Sequence, residues 1–275
     1  MAGTLYVVAT PLGNLGDLSP RAADTLKRVA VVAAEDTRHS KPLLIHAGSR
    51  AELVSFHEHS SERALERILR ILSEGRDVAF ITDAGTPAIS DPGVALVAAA
   101  KERGIQVISI PGPTAVAASL AVSGIHADRY LFLGFLPRKG TDRRRLMESI
   151  ARSEWTIVLF EAPNRIAQLL ADLAEACGPE RQAAVSRELT KVFEETRAGT
   201  LAELGAYYAE APVRGEVTVV VSGTGKEYHE PPPPDPGERA RALLAEGLSR
   251  KDAADRLAEE TGISRNTAYR LVNEL

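Results

Sequence analysis

Four short runs, Leu5–Ala9, Val29–Ala34, Asp77–Thr82 and Ile105–Ile110, are apolar almost throughout and are separated by segments with helical patterning. A strand with one wet face alternates apolar and polar residues, whereas a strand that is apolar on both sides is buried on both. Short runs of this kind between helices predict a parallel sheet covered on both faces. Helix signals fall between them. Ser19 followed by Pro20 reads as an N-cap with proline at the first helical position, opening Pro20–Arg28. Asp91-Pro92 repeats the signal ahead of Pro92–Arg103, which Gly104 ends. This first unit closes near Pro111-Gly112-Pro113, giving a domain over residues 1–113.

A second alternating unit follows over residues 114–223. Thr114–Val122, Ile166–Ala176 and Leu201–Ala209 read as helices; Tyr130–Phe135, Thr156–Phe160, Ala183–Arg187 and Val217–Val221 read as strands. Residues 224–237 then carry Pro231-Pro232-Pro233-Pro234 and Pro236, a run poor in donors that favours extended geometry and predicts a semi-rigid spacer. Residues 238–275 are helical throughout: Glu238–Glu246, Arg250–Glu260 capped by Ser249, a turn at Thr261-Gly262-Ile263, and Arg265–Glu274 capped by Ser264. A helix, a glycine-containing turn and a capped second helix form a helix-turn-helix signature.

Composition excludes several classes. A net charge of −4 advertises no polyanion partner, so any nucleic-acid contact must come from a local basic patch. A single cysteine, Cys177, cannot form an internal disulfide and fits a reducing, cytoplasmic compartment. No apolar run reaches ~18 residues, the length of a membrane span. The first residues enter a strand pattern at once, so no signal peptide is expected. His57 and His59 have an H-x-H spacing, but no further ligand cluster accompanies them, and no metal is expected.

Three loops at strand ends carry the chemistry. Thr82–Gly93 (TDAGTPAISDPG) leaves a strand and opens a helix, with Gly85 offering close approach to the backbone. In open parallel sheets, ligands sit outside the carboxyl ends of the strands, where this loop falls. Thr10–Asp17 and Pro111–Ala115 are similar loops at other strand ends; turn chemistry alone accounts for the glycines and prolines of each. Thr10–Asp17 is not GxGxxG, so a dinucleotide fingerprint is absent.

Taken in order, Val8–Asp17, Ala34–Arg38, Phe56–His59, Asp83–Gly93, Pro111–Ala115, Phe132–Pro137 and Ser186–Lys191 resemble the tetrapyrrole (corrin/porphyrin) methylase family. The likeness is nearest to its ribosomal RNA branch, which methylates a cytidine 2′-oxygen in 16S RNA of the small subunit. It spans Leu5–Gly223; Thr114 stands where the family often has Ser and keeps the hydroxyl. The resemblance implies an α/β fold of two αβ domains (the class III methyltransferase fold) with the helix-turn-helix-like module appended. It also implies S-adenosyl-L-methionine in the cleft between the domains, a homodimer, and small-subunit ribosomal RNA or the 30S particle as partner. Carried over by position, the donor site comprises Pro11, Gly85, Thr86, Ile89, Ser90, Thr114 and Ala115, with Phe160 and Glu161 from the second domain.

A ribose hydroxyl is a weak nucleophile, so a group must orient it or accept its proton. The candidates beside the resembling motifs are Asp36, Arg187, Glu188 and Lys191: Glu188 as acceptor, Lys191 or Arg187 as oxyanion stabiliser or phosphate ligand. A structural ion pair between Arg187 and Glu188 is the competing reading. RNA contact has its candidates in Arg38, in the basic loop carrying Arg138, Lys139, Arg143, Arg144 and Arg145, and in Arg265 and Arg270 of the last helix. The C-terminal segment holds seven basic and seven acidic residues, so its charge is equally compatible with a protein-binding role. Two other functions stay open on sequence: C-methylation of a tetrapyrrole, which needs neither basic loop nor helical tail, and a DNA-binding regulator whose αβ part senses a metabolite.

Overall fold

A computed structural model of the chain describes residues 2–57, 60–88, 93–210, 215–225 and 235–275. The chain forms two compact units, Met1–Gly225 and Lys226–Leu275. The proline run at 231–234, the cap at 91–92, His59 and two of the expected donor-site residues, Ile89 and Ser90, lie outside the described residues.

The first unit holds two five-stranded sheets. The first sheet is built from β1 (Thr4–Val8), β2 (Val31–Ala34), β3 (Glu52–Ser55), β4 (Val78–Ile81) and β5 (Gln106–Ile110), in the order β3-β2-β4-β1-β5 and parallel throughout. Its crossovers carry α1 (Pro20–Arg28), α2 (Thr37–Ala47), α3 (Glu62–Ser73) and α4 (Gly93–Glu102). One face packs Leu5, Ala33 and Phe80 against Leu69, Leu72 and Leu96; the other packs Val8, Val32 and Ile81 against Leu26 and Leu44. Two covered faces are the physical reason the inner strands β2 and β4 are apolar and buried at every position. After β1 the chain crosses toward β2, and after β4 it crosses the opposite way toward β5. The ends of β1 and β4 therefore flank the switch point of the sheet, where a crevice opens.

From the first sheet the chain runs into α5 (Ala115–Ser123) and then β6 (Tyr130–Phe135), α6 (Thr141–Arg152), β7 (Thr156–Glu161), α7 (Ile166–Cys177), β8 (Gln182–Arg187), β9 (Glu195–Thr200), α8 (Leu201–Glu210) and β10 (Val217–Val221). The second sheet has the order β6-β7-β10-β8-β9; β6 and β7 are parallel, the other pairs antiparallel. One face is covered by α6, α7 and α8 through Ile150, Leu170 and Leu204. The other receives α5, whose Val116 joins Val158, Ala184 and Val220. The strand β9, sequence ETRAGT, has no apolar pattern because it is a polar sheet edge, and it was not among the strands expected. The basic loop is also corrected: helix begins at Thr141, so Arg143, Arg144 and Arg145 lie in the first turn and a half of α6.

The second unit packs α9 (Pro236–Ala245), α10 (Arg250–Thr261) and α11 (Arg265–Asn273) around Leu243, Leu257, Ala268 and Val272. Both serine caps form: Ser249 Oγ accepts from Asp252 N and Ser264 Oγ from Thr267 N, each at 3.2 Å. α9 starts inside the segment expected to be spacer, with Asp235 Oδ1 accepting from Gly237 N and Pro236 at the first helical position. Among the described residues no helix is long and apolar enough to cross a membrane.

Candidate active site

Three strand-end loops of the first sheet are stitched to one another. Thr10 N donates to Gly85 O at 2.9 Å and Gly85 N donates back to Thr10 O at 3.1 Å, joining the loops after β1 and β4 across the switch point. Thr86 Oγ1 donates to Pro113 O at 3.1 Å, adding the loop after β5. Gly85 has φ +81°, a left-handed backbone that favours glycine. Above this seam lies a cavity of about 340 Å³, within the range of small-molecule sites. Six of the donor-site candidates, Gly85, Thr86, Thr114, Ala115, Phe160 and Glu161, line it together. Pro11 is buried and leaves the wall to its neighbour Leu12. The wall also includes Phe135 and the stretch Gly215–Thr218, which sequence reading missed. The Phe135 ring stands 5.7 Å from that of Phe160.

Glu161 ends β7 with its side chain 1% exposed. Oε1 accepts from Ala162 N at 2.8 Å. Oε2 lies 3.2 Å from an Arg165 guanidinium nitrogen but makes no aligned hydrogen bond. A buried carboxylate with an unused acceptor on a cavity wall is suited to an N–H or O–H of a bound molecule. With the apolar Phe160 and the Cβ-free Gly85 beside it, the wall pairs an apolar surface and an open backbone approach with a buried acceptor.

The register of the second sheet sets a row of side chains along one edge. Phe135 opposes Phe160, Val217 opposes both Glu161 and Arg187, and Arg187 opposes Glu195. β10 lies between β7 and β8, so two strand spacings, about 10 Å, separate Glu161 from Arg187. The turn Glu188–Glu194 rises from this edge. Glu188 and Thr190 both have left-handed backbones, at φ +51° and +67°, an uncommon state for residues with a Cβ and one that clusters at functional sites. The turn is held by Lys191 N to Glu188 O (2.9 Å), Glu194 N to Lys191 O (3.1 Å) and Thr190 N to Glu194 Oε2 (2.6 Å). Asn14 N donates to Thr190 Oγ1 at 3.1 Å, tying the turn to the loop after β1.

Lys191 lies across Gly13, where any Cβ would collide with its side-chain carbons, and Glu188 occupies the space a Cβ on Gly215 would need. The Lys191 ammonium is 3.0 Å from Glu188 Oε1 and 3.6 Å from Glu216 Oε2. Burial lowers its proton affinity, but the Glu188 hydrogen bond and the Glu216 charge outweigh this and hold the pKa above the ordinary lysine value. Lys191 is therefore a fixed cation at neutral pH and an unsuitable base.

The Arg187–Glu188 ion pair of the competing reading is not formed. Arg187 Nε donates to Glu195 Oε2 at 2.7 Å across the β8–β9 pair, which leaves Glu188 to Lys191. Asp36 caps α2 and holds Arg38 through Oδ1 at 3.2 Å and Oδ2 at 2.9 Å. The Arg38 side chain and then its backbone N–H press the Asp36 pKa down to about 2, so this carboxylate is a poor proton acceptor. Arg138, Lys139, Arg144 and Arg145 are exposed. Arg143 instead donates to Pro137 O at 3.0 Å and pairs with Asp172, tying α6 to α7 rather than facing a polyanion. In the helical module, Arg265 pairs with Asp255 at 3.0 Å, whereas Arg270 lies exposed, 3.9 Å from Glu274. Among the described residues no group of three or more His, Cys, Asp or Glu side chains is arranged to hold a metal.

Comparison with known proteins matches residues 4–205 to the family model of the tetrapyrrole (corrin/porphyrin) methylases and residues 230–275 to that of the RsmI C-terminal HTH domain. A protein of Synechocystis sp. named ribosomal RNA small subunit methyltransferase I is 44% identical over 274 residues, covering 99% of this chain and 98% of the relative. Its namesake from Pseudomonas aeruginosa is 44% identical, with coverages of 98% and 96%. Among solved structures, a cobalt precorrin-4 methyltransferase superposes with a TM-score of 0.65 at 18% identity, covering 80% of this chain and 94% of that one. A uroporphyrin-III C-methyltransferase from Thermus thermophilus, complexed with S-adenosyl homocysteine, gives 0.59 at 20% identity, with coverages of 79% and 97%. At these identities the two structures establish likeness of fold.

Proposed function

The chain belongs to the tetrapyrrole (corrin/porphyrin) methylase family, and from that membership we propose that it is an S-adenosylmethionine-dependent methyltransferase acting on a cytidine 2′-oxygen of 16S ribosomal RNA in the small subunit. The observation that carries the reading is the fixed Lys191 cation, packed over Gly13 and 3.6 Å from Glu216 of the cavity wall, in a chain 44% identical along its length to named ribosomal RNA methyltransferases. Residues 1–113 and 114–223 act as the two halves that enclose the donor. S-adenosylmethionine supplies an electrophilic methyl group when bound. Gly85, Thr86, Thr114, Ala115, Phe160 and Glu161 hold it, Glu161 through its spare carboxylate oxygen. Ile89 and Ser90 are assigned to the donor by their position in the family pattern, and Pro11 stiffens the turn behind Leu12. Glu188 takes the proton of the ribose hydroxyl, and Lys191 stabilises the oxygen as negative charge develops on it. Arg187, through Glu195, keeps the root of the turn in place. Arg38, Arg138, Lys139, Arg144 and Arg145 contact phosphates, and Arg270 extends the contact through the helical module. The enzyme works in the cytoplasm as a homodimer, for which exposed Val94 on α4 and Val122 on α5 are interface candidates.

Incubation with methyl-labelled donor and small ribosomal subunits lacking the modification is expected to place label on one cytidine ribose. Label on a base, or on nothing, overturns the reading. Deletion of residues 226–275, which form their own compact unit, is expected to raise the KM for subunits about tenfold while donor affinity by calorimetry stays within twofold. An unchanged KM would make the module a protein-binding element.

A further inference from the structure

The tip of the Glu188–Glu194 turn carries two apolar side chains that the fold leaves in water: Val192 is 93% exposed and Phe193 72%. They directly follow Lys191, whose own side chain is pinned over Gly13. The turn that presents them is rigid, held by three internal hydrogen bonds and by Asn14 N to Thr190 Oγ1. Scattered exposed hydrophobics are ordinary, but an aromatic ring held on a braced turn beside a candidate reaction centre is preorganised for contact.

The size of the surface selects its partner. A stable interface between two protein chains buries about 800 Å² on each side, while one aromatic side chain offers about 150–250 Å². On either side of the tip the sequence is charged, Lys191 before it and Glu194-Glu195 after it. The apolar area thus matches a single planar ring better than a second protein surface. Sequence-specific recognition of RNA targets unpaired, unstacked bases, which aromatic side chains hold by stacking. Glu188, at the root of the turn, lies on the sheet edge that also carries Glu161 of the cavity wall.

We infer that Phe193 is a stacking platform for an unpaired nucleobase of the RNA strand that brings its ribose to Lys191, with Val192 covering the edge of that base. This rests on the ribosomal RNA reading above. The test uses the full-length protein, methyl-labelled donor and small subunits lacking the modification. Phe193→Ala is expected to lower kcat/KM for subunits about ten- to a hundredfold, and Phe193→Trp to stay within about threefold of wild type. Donor affinity by calorimetry and oligomeric state by sedimentation are expected to be unchanged in both variants. If wild type labels the RNA and Phe193→Ala does so equally well, the stacking role is wrong and the function stands. A fall in oligomeric state on Phe193→Ala overturns the inference in favour of a contact with a second copy. Wild type that labels no ribosomal RNA removes the functional reading and this inference with it.

Discussion

Lys191→Ala is expected to lower kcat for ribosomal RNA methylation about a hundred- to a thousandfold, the usual effect of removing one fixed group from a site where negative charge develops. The Lys191 ammonium is 3.0 Å from Glu188 and 3.6 Å from Glu216, so the alanine variant leaves two carboxylates facing each other without their shared cation. That adds a second penalty, because the uncompensated carboxylates repel the oxygen that Lys191 would stabilise. Donor binding is expected to survive, since Lys191 is not on the cavity wall. The pH behaviour has a definite sign. A cation whose pKa is raised on folding is present at every lower pH and is lost only as pH rises through the raised value. No alkaline loss of activity below about pH 10 should therefore trace to Lys191. Stopped single-turnover assays separate the effect on chemistry from any effect on RNA binding. A single-turnover rate within threefold of wild type would show that Lys191 does no more than pack on Gly13.

Gly85→Trp is expected to lower donor affinity at least a hundredfold, to the floor of a calorimetric measurement. A Cβ at residue 85 would start 3.3 Å from Leu12 Cδ2 and 3.7 Å from Pro113 O, at the seam of all three loops. An indole in that place fills much of a cavity of only about 340 Å³. The left-handed backbone adds about 1–2 kcal/mol of strain for any L side chain, which for a unit of this size lowers Tm by several degrees. Gly85→Ala carries the same strain with little bulk and serves as the comparison. It should match the Trp variant in the strain component of Tm while keeping measurable affinity. Undiminished binding by Gly85→Trp would mean that the donor lies somewhere other than this seam.

The parts of the fold that sequence reading reached are those governed by local chemistry. Leu5–Ala9 and Val29–Ala34 were legible as doubly covered strands because their neighbours on both faces demand apolar residues. Ser249 and Ser264 were legible as caps because a hydroxyl three residues before a free N–H acts within one turn. The strand-end loops that line the cavity stood out by their glycines and prolines, but their assignment to a donor came from the family resemblance alone. What stayed hidden depends on residues far apart in the chain. Arg187 was open to two readings, a phosphate or oxyanion ligand or the partner of its neighbour Glu188, and neither foresaw the β8–β9 pair that sets Glu195 opposite it. β9 was invisible because an edge strand needs no apolar face. α6 was masked by its basic first turn, although Leu146, Met147 and Ile150 repeat at helical spacing. The Gly215–Thr218 wall had one usable signal, a glycine two residues before an all-valine-and-threonine strand, but nothing local tells which cavity that strand borders.

The route of α5 bears on how relatives of this chain can be recombined. Thr114 and Ala115 stand on the cavity wall, yet one residue later Val116 is packed into the second sheet. A chimera spliced at 113/114 keeps both hydrophobic interiors intact but places its scar within the ligand's reach. A splice after 123 spares the ligand and instead grafts a foreign helix onto the back of the second sheet. Shuffling libraries of these enzymes thus have no neutral crossover point between the halves, and the parental pairs that tolerate one are those that already agree over residues 111–123.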